Sequence, residues 1–248
     1  MTWLREFVAA ATLLTRLPLW RLAPGLPPDP ARCIWAYPVV GAVVGGIGAG
    51  VYCAIARIGL PPALSALWTL VAMMCVTGAL HEDGVADTAD GFGGGRSRER
   101  KLEIMRDSRI GTYGALALIM TIAIRGAGIA ALARPLPVAT ALVAAGALGR
   151  GAIIMMLLAL KPARIDGLAA SLGTISLARA AIGLGLAAIV AFALLPGGVA
   201  VGVIAPSAVV SLAFAALSRR QIGGYSGDVL GACAALVECV ALTLLAYG

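Results

Sequence analysis

Three aspartates in one short stretch have the type and spacing needed for chemistry on a charged substrate. Asp83 is followed by Asp87 four residues later and by Asp90 after three more. Residues three and four apart lie on one face of a helix, so a helix here would gather three carboxylates that repel one another. Because oxygen ligands favour Mg²⁺ or another hard divalent cation, the sequence predicts a metal site at Asp83, Asp87 and Asp90.

A cation held by these aspartates would neutralise a diphosphate and stabilise its leaving group. Gly84 and Gly91 in the same stretch would let a substrate approach the backbone closely. The alternative is a solvated, acidic helix end without a ligand. His81, the single histidine of the chain, precedes the aspartates. It is a candidate general base, a candidate metal ligand, or a cap bonded to a backbone carbonyl.

A second polar stretch, Glu99–Arg109, is predicted to form a short amphipathic helix outside the membrane. In one interpretation Asp107 completes the metal site. Arg106 and Arg109 would then bind phosphates, because arginine makes bidentate contacts to oxyanions. In the other interpretation the stretch is a surface helix with internal ion pairs and contacts to anionic lipid.

The elements that must position these residues are apolar helices. Of the 248 residues 60% are hydrophobic and 12% are charged, and the mean hydropathy is +0.96. A bilayer crossing takes roughly 20 apolar residues. Six such stretches and a seventh are predicted at 34–56, 62–81, 111–133, 136–160, 177–196, 198–217 and 229–247. The predicted fold is all-α, a single polytopic membrane bundle over residues 1–248 with six to seven transmembrane helices.

An additional N-terminal helix is predicted within residues 1–20, lying in the membrane interface and ending at Pro18. Its polar face would contain Arg5, Thr12 and Arg16, which recur at helical spacing. The five cysteines fall in apolar runs without a C-x-x-C pair, so neither a zinc site nor a disulfide framework is predicted.

The charges of the connecting segments predict the orientation. Basic residues cluster before the first span and after the second, fourth and sixth spans. By the positive-inside rule, this alternation places the N-terminus and the aspartates on the cytoplasmic side of the inner membrane. The acidic residues, which that rule does not use, fall on the same side except Glu238. The reaction site is therefore predicted to face the cytoplasm. The net charge of +7 has the same origin and does not indicate a nucleic-acid partner.

Two further loops supply polar groups on that same side. The segment KPARIDG at Lys161–Gly167 contains Arg164, and the glycine-rich turn GGYSGD at Gly223–Asp228 ends in a carboxylate. Each loop alone is a weak signal. Together they provide donors and acceptors near the aspartates, so Arg164 and Asp228 are candidate substrate contacts.

Three ionisable residues, Arg125, Arg150 and Glu238, are predicted to lie within spans. Because charged groups at that depth are costly, a pairing of Glu238 with Arg150 or Arg125 is the hypothesis for them. Close helix packing is predicted at two pairs of glycines four residues apart, Gly41/Gly45 and Gly46/Gly50.

Five sequence blocks together resemble the adenosylcobinamide-GDP ribazoletransferase family, also called cobalamin-5′-phosphate synthase. They occur in the family's order across nearly the whole chain. The blocks are TRLP at Thr15–Pro18, H-x-DG-x-AD-x-x-DG at His81–Gly91, EIMRDSRIGTYG at Glu103–Gly114, AR-x-x-G at Ala163–Gly167 and GGYSGDVLGA at Gly223–Ala232. One departure is Glu82, where an apolar residue is expected. Its carboxylate beside Asp83 would perturb the affinity for the metal.

The resemblance implies an integral membrane transferase of the final stage of vitamin B12 (cobalamin) biosynthesis that requires Mg²⁺. Such enzymes join adenosylcobinamide-GDP to α-ribazole or its 5′-phosphate, giving adenosylcobalamin or its 5′-phosphate and GMP. A ribose hydroxyl would attack a phosphoryl group, a reaction that mainly needs alignment and charge neutralisation. The three aspartates would hold the metal, with Asp107 or His81 as the base. The candidate phosphate contacts are Arg16, Arg106, Arg109 and Arg164.

Three other functions are alternatives. CDP-alcohol phosphotransferases carry DG-x-x-AR, whereas Asp87 stands here at the arginine position. Membrane prenyltransferases also combine aspartate-rich loops with Mg²⁺ and a diphosphate. A transporter is the non-enzyme alternative, although transporters place their ionisable groups near the membrane midplane. The sequence leaves open the preferred acceptor, how the corrin ring is held, and the oligomeric state, including a homo-oligomer.

Overall fold

The chain folds into helices joined by short connections, with no strand among the residues that the structure describes. The computed structural model describes residues 2–23, 28–164, 172 and 175–247. The α-helices in these ranges are α1 Thr2–Leu14, α2 Pro30–Cys33, α3 Tyr37–Arg57, α4 Pro62–Thr77, α5 Leu80–Gly94, α6 Arg98–Ile104, α7 Thr112–Leu132, α8 Pro135–Ala159, α9 Leu177–Leu194, α10 Gly197–Ile222 and α11 Gly227–Tyr247. Short 3-10 helices cover Leu19–Leu22 and Ile34–Ala36.

Six helical segments in the described ranges are long and apolar enough to cross a membrane. They are Pro30–Arg57, Thr112–Leu132, Pro135–Ala159, Leu177–Leu194, Gly197–Ile222 and Gly227–Tyr247. The number rises to seven if α4 and α5, which are joined by a sharp bend, are counted together as one span. The predicted all-α polytopic membrane bundle of six to seven transmembrane helices is confirmed.

The predicted second span, 62–81, has a different form in the structure. α4 ends at Thr77 because the next two residues, Gly78 and Ala79, have φ angles of +66° and +55°. These left-handed conformations stop a right-handed helix, and the Ala79 amide closes its end by donating to the Met74 carbonyl at 2.9 Å. α5 then leaves at 91° to α4. The aspartates therefore lie on a helix of their own, α5, which is separate from α4.

α8 is the most deeply buried of the six membrane-spanning segments: 83% of an apolar stretch of 18 residues in this helix is buried inside the protein. α3 crosses it where Gly41 faces Gly146, and a Cβ atom on either glycine would overlap the carbonyl oxygen of the other. A Cβ atom on Gly45 would overlap the α8 backbone in the same way. The predicted close packing is confirmed for Gly41/Gly45. The prediction of close packing is wrong for Gly46/Gly50, because a Cβ atom added to either residue would have no atom of a neighbouring helix within 4 Å.

Four buried charged side chains link α5, α7, α8 and α11. Arg125 donates to Glu82 at 2.6 Å and to Glu238 at 3.0 Å, and Arg150 donates to the second oxygen of Glu238. The hypothesis that Glu238 pairs with an arginine is confirmed for both arginines. Adjacent residues of a helix point about 100° apart, so Glu82 faces Arg125 inside the bundle while Asp83 faces another direction. The expectation that Glu82 adds a carboxylate beside Asp83 at the metal site is therefore wrong.

α1 is attached to the bundle through a buried carboxylate. Glu6 accepts hydrogen bonds from Arg179 at 2.6 Å and from the Trp35 indole at 2.9 Å. Burial raises the pKa of Glu6, but these hydrogen bonds and nearby guanidinium charges outweigh it and hold the pKa below its ordinary value. The predicted N-terminal helix is present, and it ends at Leu14 instead of Pro18. Its location in the membrane interface stays a prediction.

Replacing Gly41 by Ala should destabilise the crossing of α3 and α8. The added Cβ atom would force the two backbones apart, and such overpacking costs about 1–3 kcal/mol. Gly46→Ala is the matched control on the same helix, where open space and the higher helix propensity of alanine should preserve or raise stability. Thermal unfolding in detergent micelles measures both variants. Equal melting temperatures would contradict the packing described for Gly41.

Removing one member of the Glu238–Arg150 pair should cost more than removing both. Glu238→Gln and Arg150→Gln each leave a buried charge without this partner, which costs about 3–5 kcal/mol. The double variant removes both charges and should lose less stability than either single variant. The unfolding free energies of the four proteins form a double-mutant cycle. Strictly additive losses would argue against the pairing.

Candidate active site

A cavity of about 340 Å³ lies where α1, α3, α5, α8 and α11 meet the connections that follow α8 and α10. Apolar side chains make up most of its wall. Four of the predicted site residues also line it, namely His81, Asp83, Arg164 and Asp228. The structure therefore brings together residues from three sequence blocks that are far apart along the chain.

The acidic part of the site is built by α5 and the first turn of α11. A Cβ atom on Gly84 would lie 2.6 Å from the carbonyl oxygen of Asp228, so a glycine at this position is what lets α5 approach α11. The negative charges of Asp83 and Asp228 both act on the half-buried Asp87. The sequence predicted Asp228 as a substrate contact, and the structure adds it to the acidic cluster of Asp83 and Asp87.

Asp90 has a different structural role from the other two aspartates of α5. Its side chain is buried, and its two carboxylate oxygens accept hydrogen bonds from the backbone amides of Gly111 at 2.6 Å and Gly114 at 2.8 Å. These amides belong to the start of α7, where the first amides of a helix lack partners within it. Asp90 therefore caps α7. Each of these oxygens keeps a second lone pair, so the role of Asp90 as a metal ligand stays a prediction.

The acidic cluster has the donor chemistry for a hard divalent cation, but the protein does not form a complete cage. In the described part of the chain, no three histidine, cysteine, aspartate or glutamate side chains converge closely enough to hold a metal ion. Mg²⁺ is commonly bound by one or two carboxylates together with substrate phosphates and water. One or two carboxylates from the cluster of Asp83, Asp87 and Asp228 would suit Mg²⁺ in that way, with a phosphate-bearing substrate and water as the other ligands.

The connections after α8 and α10 are joined by backbone hydrogen bonds. The Tyr225 amide donates to the Lys161 carbonyl at 2.9 Å, and the Ala163 amide donates to the Tyr225 carbonyl at 2.8 Å. A Cβ atom on Gly224 would overlap the Lys161 carbonyl oxygen, so this approach requires a glycine. The two loops that the sequence placed on one side of the membrane are direct neighbours.

This pairing places Arg164 at the acidic cluster. Its positive charge acts on both Asp87 and Asp228, and its guanidinium donates to the Leu102 carbonyl at 2.8 Å. The remainder of its sequence block, residues 165–167, lies outside the described residues. Among the predicted arginine contacts, Arg164 is the one that lines the cavity in the described part of the chain.

Two residues with supporting contacts were not identified from the sequence. Arg98 donates to the Ile222 carbonyl at 2.8 Å and to the Ala163 carbonyl at 2.7 Å, so one side chain holds both loops. The Ser226 hydroxyl donates to the Asp228 carboxylate at 3.1 Å. Arg98 stands within a run of basic residues, and nothing in its spacing distinguishes it from its neighbours.

His81 begins α5 and packs against α11. A Cβ atom on Gly231 would lie 3.3 Å from the His81 Cα atom, which shows how closely the two helices approach. The side chain is buried and lines the cavity, and its Nε2 atom has no hydrogen-bond partner among the described residues. This atom therefore does not make the predicted cap to a backbone carbonyl. Its role as a general base or a metal ligand stays a prediction.

Asp107 and Arg109 pair with each other in the connection between α6 and α7. The Arg109 guanidinium donates to Asp107 at 2.6 Å, and these hydrogen bonds lower the pKa of Asp107 to about 2. A carboxylate with this pKa is a weak proton acceptor at neutral pH, and the role of Asp107 as the base stays a prediction. Neither residue lines the described cavity.

The two remaining predicted contacts, Arg16 and Arg106, are exposed and also do not line the described cavity. Arg16 lies over Gly78 at the bend between α4 and α5, where its amide donates to the Val76 carbonyl at 2.7 Å. The TRLP block thus contacts the bend that sets the direction of α5. A phosphate contact for Arg16, Arg106 or Arg109 stays a prediction.

Comparison with known proteins gives one family. The sequence profile of the family described as Cobalamin-5-phosphate synthase matches residues 6–246. A relative from Bradyrhizobium diazoefficiens, named adenosylcobinamide-GDP ribazoletransferase, is 48% identical over 238 residues, which cover 96% of this chain and 91% of the relative. Relatives of the same name from Mesorhizobium japonicum and Rhizobium johnstonii are 45% and 43% identical, each over 96% of this chain and over 92% and 94% of their own lengths.

No solved structure matches this chain. The family profile and the relatives extend over nearly the whole sequence, including all five blocks that carried the resemblance. This chain therefore belongs to the cobalamin-5-phosphate synthase family.

Proposed function

We propose that this chain is an adenosylcobinamide-GDP ribazoletransferase of cobalamin biosynthesis. It joins adenosylcobinamide-GDP to α-ribazole or its 5′-phosphate and releases GMP. One observation carries the proposal: Asp83, Asp228 and Arg164 line a cavity large enough for a small organic substrate, and their charges act on the neighbouring Asp87. Carboxylates that bind a cation, next to a guanidinium that binds oxyanions, suit a diphosphate substrate.

The reaction exchanges one phosphorus–oxygen bond for another. A ribose hydroxyl of the ribazole attacks the phosphorus that carries the cobinamide, the new P–O bond forms, and the P–O bond to GMP breaks. Arg164 contacts the diphosphate oxygens and holds the phosphorus in line with the hydroxyl. His81 accepts the hydroxyl proton at Nε2, the buried atom that lacks a protein partner among the described residues.

Mg²⁺ is the proposed cofactor, and it would be held by one or two of the carboxylates of Asp83, Asp87 and Asp228 together with substrate oxygens. When bound, it neutralises the diphosphate and stabilises the departing GMP. The supporting contacts of the chain keep these carboxylates in place. Ser226 orients the Asp228 side chain, and Asp90 fixes α5 to the start of α7.

We also propose that the site faces the cytoplasm from the inner membrane. The six apolar helices make this a multi-pass membrane protein. The alternation of basic residues between successive connections supports a cytoplasmic location for the connections after the second and fourth spans. Arg164 follows the fourth span, and the aspartates of α5 follow α4, so both would reach the same pool of soluble nucleotide substrates.

The proposed reaction should be detectable as release of GMP. Purified protein in liposomes is supplied with Mg²⁺, adenosylcobinamide-GDP and α-ribazole 5′-phosphate. Asp83→Asn, Asp87→Asn and Asp228→Asn should each lower kcat/KM by about 10²–10³-fold, because each removes a charge that stabilises the transition state. Glu99→Gln, an exposed acidic residue of α6, is the control and should keep full activity. Undiminished release after chelation of divalent cations would refute the metal role.

Arg98 should act as a positioning residue for Arg164 and Asp228. Arg98→Gln removes both carbonyl contacts and should lower kcat/KM about 10–100-fold, because small displacements of aligned groups are costly in phosphoryl transfer. The loss should fall mainly on the KM for adenosylcobinamide-GDP, and Arg98→Lys should restore part of it. Arg96→Gln, an exposed neighbour, is the matched control. A fall in melting temperature with unchanged KM would show a role in stability alone.

A further inference from the structure

The cavity beside the acidic cluster has a wall that does not match a diphosphate. Leucine and isoleucine side chains from five segments dominate it, namely Leu13, Leu14, Leu80, Ile153, Leu172 and Leu230. A phosphate placed among these side chains would lose its hydration without gaining partners. The apolar part of the cavity is therefore built for a different portion of the substrates than the ionisable groups at its edge.

Two buried polar atoms in the same wall lack protein partners. The Tyr37 hydroxyl and the His81 Nε2 atom have no hydrogen-bond partner among the described residues, although the residues are only 2% and 4% exposed. Leaving a buried donor or acceptor unsatisfied costs about 1–3 kcal/mol. Both residues line the cavity, but His81 also lines a smaller pocket with the buried Arg125 and Arg150. Tyr37 is therefore the residue whose missing partner a ligand in the cavity can supply. The cavity thus suits an apolar ligand with a very small number of polar atoms.

We propose that this cavity binds the base of the ribazole substrate, with its ribose directed toward Asp83 and Asp228. The inference rests on the proposed function. The ribazole base is a dimethylbenzimidazole, a flat ring whose single free nitrogen is an acceptor. Tyr37 donates its hydroxyl hydrogen to that nitrogen, and the two ring methyl groups contact the leucine side chains.

The other portions of the substrates fit this cavity poorly. Guanine has donors and acceptors along its edges, and most of them would stay unsatisfied among leucine side chains. The corrin ring with its amide side chains exceeds a volume of about 340 Å³, which lies at the lower end of ordinary small-molecule sites. The guanosine and corrin portions of adenosylcobinamide-GDP therefore remain outside the cavity, on the far side of the acidic cluster.

The test is direct binding of α-ribazole to the full-length protein in nanodiscs, without Mg²⁺ or corrinoid, by titration calorimetry. Tyr37→Phe should raise the Kd for α-ribazole about 3–10-fold, the value of one hydrogen bond. The KM for adenosylcobinamide-GDP should stay unchanged. Tyr52→Phe is the matched control, since this buried tyrosine of the same helix donates to the Ala133 carbonyl away from the cavity. Its Kd should equal that of the unmodified protein.

Ligand analogues test the apolar wall independently of any variant. Removing each methyl group of the base should weaken binding about fourfold, the value of one buried methyl group. Guanosine should not compete. Leu14→Phe, which narrows the cavity from α1, should weaken binding of the dimethyl compound more than that of unsubstituted benzimidazole riboside.

Specific results would overturn the inference. An unchanged Kd in Tyr37→Phe, or a rise in the KM for adenosylcobinamide-GDP instead, would assign the cavity to another part of the substrates. Equal affinity for the methylated and unmethylated bases would do the same. Failure to release GMP in the complete assay would refute the proposed function, whereas the binding titration still decides whether the cavity takes the base.

Discussion

The position of the acidic cluster depends on the buried ion pairs that attach α5 to the membrane bundle. Glu82 points inward to Arg125, whereas the next residue, Asp83, lines the cavity. One turn of helix therefore carries both the anchor and the candidate metal ligand. The network contains two arginines and two glutamates, so its formal charge is zero, which is what makes its burial tolerable. An axial shift of α5 that displaced Asp83 would also break the Glu82–Arg125 pair.

Close backbone contacts then bring distant segments to that helix. Gly84 allows α5 to approach Asp228, and Gly224 allows the connection after α10 to reach the connection after α8. Arg98 bonds the carbonyls of both connections. None of these contacts depends on a ligand, so the cluster of carboxylates and Arg164 is organised in advance. Such preorganisation is the main contribution that a protein makes to phosphoryl transfer.

Much of the fold and part of the site were predictable from the sequence. Apolar stretches of bilayer length predicted the membrane bundle, and the spacing of the aspartates correctly predicted a helix at α5. The same spacing could not show that Asp90 caps α7, because the amides of Gly111 and Gly114 approach it only in the folded chain. The spacing also did not show that Asp107 pairs with Arg109 in the turn before α7.

Residue type and helical period thus determine that this chain enters a membrane, where its helices lie and which side chains carry charge. These properties depend on neighbours a few residues apart, and a sequence displays such neighbours directly. The tertiary structure decides which charged side chains line the candidate site and which form ion pairs that hold the helices together. Glu82 and Asp83 are adjacent and chemically alike, yet one faces Arg125 and the other faces the cavity. That difference arises from the 91° bend before α5 and from helices packed on either side of it, which no local spacing specifies.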